Sequence, residues 1–174
     1  MTDDDAEHTL PRTAASALLE ELGATLAGEI PISRALGIHP LRYDGTELAL
    51  GAPLEPNLNH KHTAFGGSLY CAAVLAGWGL LHLQWRQAAA STGPMAQIVI
   101  QDADIDYRHA VEGDFEAICP WPVDSDPQRL WRTLERRGRA RIELAVHIGP
   151  AADPAVRFSG RYVVLAGRHA QGAG

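Results

Sequence analysis

The chain has 174 residues, 46% of them hydrophobic and 21% charged, with a formal net charge of −6. That is the composition of a folded chain long enough to bury a core, not of a disordered one. The acidic balance argues against nucleic-acid binding, which needs clustered Lys and Arg to neutralise phosphates.

Residues 1–12, "MTDDDAEHTLPR", are acidic and polar, the opposite of a signal peptide, and read as a flexible N-terminus. From there to residue 166 one domain is expected. A helix over 13–28 starts at Thr13 and gathers Leu18, Leu19, Leu22 and Leu26 on one face. Pro31 opens a short helix that Gly37 stops. "IHPLRYDGTELALG" reads as a hairpin whose Asp44-Gly45 pair supplies the positive φ angles of the turn. Residues 62–85, "HTAFGGSLYCAAVLAGWGLLHLQW", hold no Asp, Glu, Lys or Arg. The run is long enough to span a membrane, but Gly66, Gly67, Gly77, Gly79, Ser68, His82 and Gln84 interrupt it and strand-like segments follow. A helix buried in a core is expected instead, with no membrane contact.

After a loop at 91–94, "MAQIVIQDADIDYRHAV" and "DFEAICPWPV" read as a second hairpin around Glu112-Gly113. Residues 126–138 form a helix with Asp126 as cap, Pro127 in the first turn and Gly138 at its end. "RARIELAVHIG" and "AVRFSGRYVVLAG" give two further strands, and 167–174 reads as a flexible tail. Cys71 and Cys119 make neither a disulfide framework nor a zinc set, and His60, His62 and His82 lack the spacing of metal ligands. A cytoplasmic protein without metal or cofactor is expected.

One long apolar helix among antiparallel strands resembles the hotdog fold, an α+β architecture in which an antiparallel sheet wraps one buried helix. More narrowly, "NLNHKHTAFGGSLYCAAVLAGWGLLHL" with "DYRHAVEGDFEA" resembles the thioesterase-like hotdog domain fused to an acetyltransferase in some bacteria. Members of that family are described both as thioesterases and as malonyl-acyl-carrier-protein decarboxylases. The resemblance implies a substrate that is a thioester of coenzyme A or of an acyl carrier protein, and a homodimer or a dimer of dimers.

Thioester chemistry builds negative charge on the carbonyl oxygen, which helix N-terminal N–H groups can stabilise. Hotdog thioesterases place an Asn six residues before a His-Gly-Gly. Here Asn59 stands six before Phe65-Gly66-Gly67. This resemblance makes Asn59, Thr63, the Gly67 amide and Ser68 the candidate catalytic groups, with His62, Phe65, Gly66 and Tyr70 touching substrate. The plain alternative is that the two glycines relieve crowding and that Thr63 and Ser68 cap the helix.

Many hotdog hydrolases carry an acid on this helix where the sequence here has Val74. A hydrolase would then need a base from elsewhere, and Asp102, Asp104 and Asp106 share one strand face by their period of two, with Gln101 on the other face. Asp104, midway along that strand, is the candidate, against the alternative of a solvated edge. Decarboxylation of a malonyl thioester needs no base, and Tyr70 or His62 could protonate the carbanion. A non-catalytic acyl-CoA binder would also keep the glycines. Finally, Arg136, Arg137, Arg139 and Arg141 suit the phosphates of coenzyme A or an acidic carrier protein, although the first two also complement a helix C-terminus.

Overall fold

A computed structural model of the chain describes residues 10–88 and 96–167. The expected loop at 91–94, most of the N-terminal segment 1–12 and nearly all of the tail 167–174 lie outside those residues.

Two helices come first, α1 (Arg12–Glu29) and α2 (Pro31–Ala35). Thr13 is not the cap of α1: the helix begins directly after Pro11, whose fixed φ of −54° leads into it, and no side chain caps it. Strands β1 (His39–Tyr43) and β2 (Glu47–Ala52) pair antiparallel as expected. In their turn only Gly45 takes a positive φ, 106°. Asp44 contributes by its side chain instead, accepting the Thr46 and Glu47 N–H groups at 2.7 Å each.

The long helix α3 (Gly66–Ala88) is followed by β3 (Gln97–Tyr107), β4 (Phe115–Pro120), α4 (Pro127–Arg137), β5 (Arg139–Ile148) and β6 (Val156–Leu165). All six strands form one sheet in the order β1-β2-β4-β5-β6-β3, and every pairing is antiparallel. The second expected hairpin is therefore wrong. β3 pairs with β6 at the far edge while β4 inserts between β2 and β5, so residues 108–114 cross from one side of the sheet to the other. A short connection favours a hairpin, but here it carries the chain past β6 and β5, and β3 buries Ile100, Ala103 and Ile105 against the core from the far edge.

α3 lies across one face of this sheet. Leu80, Leu81 and Leu83 are fully buried, and each such side chain contributes about 1.5–3 kcal/mol relative to exposure. Two-thirds of its most apolar 18-residue window, 67%, is buried, so the run that is long enough to cross a membrane serves as the core. Close approach to the sheet is permitted at Gly77, where a Cβ would strike the buried Tyr162 ring. The Tyr162 hydroxyl donates to the Val74 carbonyl at 2.9 Å. At the other end of α3, Trp85 meets Trp131 of α4 edge-on at 5.4 Å. α4 has the expected cap: Asp126 accepts the Gln128 N–H at 2.9 Å, and Gly138 ends the helix at a φ of 68°.

Candidate active site

The chain enters α3 through a tight turn. Leu58 and Ala64 form an isolated antiparallel bridge, and His62 between them has a φ of 59°. Asn59 holds this turn with its whole side chain. Its amide donates to the Thr63 hydroxyl at 2.9 Å and to the Ala64 carbonyl at 3.3 Å, while its oxygen accepts the Lys61 N–H at 2.8 Å and the Thr63 N–H at 3.3 Å. A side-chain amide offers two donors and one acceptor oxygen, so both donors of Asn59 are committed within the turn. Asn59 and Thr63 therefore shape the entrance rather than reach into it.

Phe65 sits where an N-cap would, and its side chain has no acceptor to offer. Its carbonyl takes the N–H groups of Ser68 and Leu69 at 2.9 and 3.1 Å. Among the described residues the N–H groups of Gly66 and Gly67 have no acceptor in the chain. These are the uncapped positive end of a helix of 23 residues. The Phe65 ring, 56% exposed, lies against Gly67, and the Tyr107 ring packs on Gly66. A cleft of about 320 Å³ opens beside them, lined by Ala64, Gly66, Leu69, Tyr107, Arg108 and His109 among others. Tyr70 stands one turn further along, its ring edge-on to Phe158 at 5.7 Å, while Ser68 is buried in the core rather than open to the cleft. Burial, and after it the nearby Tyr70, raises the pKa of Tyr107.

The remaining expected residues lie elsewhere. Asp102, Asp104 and Asp106 do share a face, but it is the outer face, turned away from α3: the alternate residues Ile100, Ala103 and Ile105 are the ones that pack on the core. Asp104 sits there with Asp102, Glu143, Ser159 and Arg161. A bulge between Ile100 and Asp102 also shifts the alternation. It brings Gln101 to the same outer side, where Arg141 donates to it at 3.2 Å, contrary to the strict period of two. Arg139 faces Leu165 across β5 and β6, whereas Ile148, at the other end of β5, is level with Val156 and Tyr107. At ~3.3 Å per strand residue the arginine cluster at 136–141 and the α3 entrance lie about 30 Å apart, at opposite ends of the sheet.

A larger cavity, about 640 Å³, is on the outer face, with Glu47, Asp114 and Glu116 in its wall. Three carboxylates make it a poor receiver of an anionic thioester. Among the described residues no three His, Cys, Asp or Glu side chains cluster as a metal site would. Burial raises the pKa of the Cys71 thiol, which disfavours the nucleophilic thiolate.

Residues 19–166 match the family model described as "Putative thioesterase (yiiD_Cterm)". The chain belongs to the YiiD_C family. A solved protein of unknown function from Chlorobaculum tepidum is 34% identical, with 88% of this chain and 97% of that one covered at a TM-score of 0.81. A solved "putative thioesterase" from Shewanella oneidensis is 35% identical over 86% of this chain and 99% of its own, with a TM-score of 0.74. A thioesterase from Haemophilus influenzae, 13% identical, shares the fold at a TM-score of 0.65 over 88% and 94% of the two chains. The architecture is the hotdog fold of thioesterase-like proteins, an antiparallel sheet around one helix.

Within this YiiD_C chain the entrance holds residues that the sequence did not single out: Tyr107, Arg108 and His109 from the end of β3, and Asp153 from the β5–β6 turn. Arg108 contacts Asp153 at 3.0 Å, and His109 approaches it at 3.3 Å. The Arg-His pair is visible in "DYRHAV", but Asp153 lies 44 residues further on and is brought close only by the β3–β6 pairing. Chemically, two free amides at a helix N-terminus beside a polar cleft can bind a developing oxyanion.

Proposed function

We propose that this chain hydrolyses acyl thioesters of coenzyme A or of an acyl carrier protein, with the carbonyl oxygen on the Gly66 and Gly67 N–H groups. The observation that carries this reading is that pair of uncapped amides, preceded by a Phe that cannot cap them. Membership of a family described as thioesterases supports it.

The site is completed by a second copy. β3 is an edge strand of 11 residues with Val99 exposed near its start and Tyr107 exposed at its end. Beside it Tyr70, Cys71, Val74 and Trp78 form an incompletely buried stripe on α3. Antiparallel pairing of two β3 edges would cover both, and would carry the arginines of one protomer toward the α3 entrance of its partner, where phosphates of the substrate can meet them.

Decarboxylation of a malonyl thioester to an acetyl thioester is the second reading, favoured by the acid-free α3 and by Val74. Incubating the purified protein with straight-chain acyl and malonyl thioesters of both carriers, and weighing the products, tests these readings. Free acid and thiol support hydrolysis. An acetyl thioester from malonyl substrate supports decarboxylation. Saturable binding with no product would leave a non-catalytic acyl-CoA binder. Light scattering at several concentrations tests the homodimer, or a dimer of dimers, against a monomer.

A further inference from the structure

Hydrolysis needs a base to take a proton from water, and α3 provides no carboxylate while Asp102, Asp104 and Asp106 face outward. The cleft beside Gly66 contains one imidazole, His109. Its backbone is fixed, since the N–H groups of Arg108 and His109 both donate to the Ala155 carbonyl, at 2.8 and 3.2 Å. Its Nε2 lies 3.3 Å from Asp153 Oδ2 and 3.4 Å from Oδ1. Asp153 is anchored in turn by its own N–H, which donates to the Pro150 carbonyl at 3.1 Å, and by Arg108 at 3.0 Å.

We propose that His109, oriented by Asp153, is the general base of this site. The inference rests on the hydrolase reading and names the base that reading lacks. A carboxylate facing Nε2 selects the tautomer with hydrogen there, which leaves the Nδ1 lone pair free. In the step, Nδ1 takes one proton from water and the water oxygen bonds to the thioester carbonyl carbon. The electron pair of the carbonyl moves onto oxygen, which is held by the Gly66 and Gly67 N–H groups. As the oxyanion collapses the C–S bond breaks, and the imidazolium returns its proton to the leaving sulfur, giving carboxylic acid and thiol. The charged and titratable groups facing His109 are Asp153 from the β5–β6 turn, Arg108 from its own segment with Asp106 4.0 Å from Arg108, and the Tyr107 phenol. Asp153 is a positioning residue, because it acts through the imidazole.

The test uses the full chain and the acyl-CoA that the native protein turns over fastest. His109→Gln should lower kcat by about 10²-fold with KM nearly unchanged. His109→Ala should lose as much and regain part of the rate when imidazole is added to the assay, a rescue that a merely structural role would not give. Asp153→Asn should cost less, about 10-fold in kcat with KM nearly unchanged, and Asp153→Glu, which keeps the carboxylate, should restore part of that loss. Native kcat in His109→Gln overturns the assignment, and so does a folded, inactive His109→Ala that imidazole does not rescue. A native protein that hydrolyses no acyl thioester overturns the hydrolase reading itself, and the base with it.

Discussion

The Tyr107 phenol donates to the Gly66 carbonyl at 2.9 Å, tying the last residue of β3 to the first residue of α3. That carbonyl belongs to the same peptide unit as the Gly67 N–H. In a trans peptide the two point in opposite directions, so the phenol fixes the direction of the free amide as well. Tyr107→Phe should lower turnover about 3–10-fold through a less well held oxyanion donor. Stability should fall by no more than about 1 kcal/mol, since the lost hydrogen bond is half-exposed. Steady-state kinetics beside a urea titration separates the two, and an unchanged kcat would show that the amide needs no such anchor.

Gly67 and Gly77 lie on the same helix and should respond oppositely to alanine. At Gly67 the new methyl meets the Phe65 ring, which is exposed and free to swing aside. At Gly77 it meets the Tyr162 phenol, which is wholly buried and hydrogen-bonded to Val74. Gly77→Ala should therefore cost about 1–3 kcal/mol or more by overpacking. Gly67→Ala should be neutral within about 1 kcal/mol, helped by alanine's helix propensity, yet lose activity because the methyl narrows the approach to the amides. Comparable denaturation midpoints for the two variants would contradict this packing of α3 on the sheet.

Asn59→Ala should lower stability and turnover together. The substitution removes both amide donors and the oxygen that together hold the 59–64 turn, a loss of about 1–3 kcal/mol for groups left unpaired. His62→Gly, at a φ of 59°, should do the reverse and stabilise by up to about 1 kcal/mol, because glycine adopts that conformation without a Cβ clash. Melting temperatures of the two variants should bracket the native value. An Asn59→Ala protein with native stability and no activity would return Asn59 to a direct role on the substrate.

These residues also show what was legible beforehand. The absence of charge along residues 66–85 identified the core helix, because desolvating a charge is too costly for a buried face. Asp126, Pro127 and Gly138 marked α4 because capping is local chemistry. The Asn-to-glycine spacing located the entrance but not the job of Asn59, whose partners lie within the turn. Nor could sequence order show that β3 pairs with β6 rather than β4, since side-chain alternation fixes a face and leaves the neighbour open. The bulge before Asp102 inserts one residue and so defeats a strict period for Gln101. The contact of His109 with Asp153 depends on that same β3–β6 pairing, and for that reason no spacing announces it.

His82 supplies a prediction about pH. It is buried, at 5% exposure, and among the described residues neither ring nitrogen has a hydrogen-bond partner. Its ring lies beside that of Trp78, with centroids 5.0 Å apart. Burial lowers its pKa below the usual 6.5; Glu21 and Glu29 oppose the shift, and Arg86 adds to it. Because the folded value is depressed, the unfolded chain binds this proton first as the pH falls. The corresponding stability is therefore complete above about pH 6.5 and is lost progressively as the pH drops through the lower, folded value. His82→Leu, which keeps an apolar side chain of similar reach in the same space, should remove that slope. Urea unfolding of both proteins at a series of pH values from about 8 down to about 5 keeps most carboxylates ionised, so the imidazole dominates the difference. The native protein should lose stability relative to His82→Leu over this range. Parallel curves would mean that His82 is protonated, or hydrated, inside the fold.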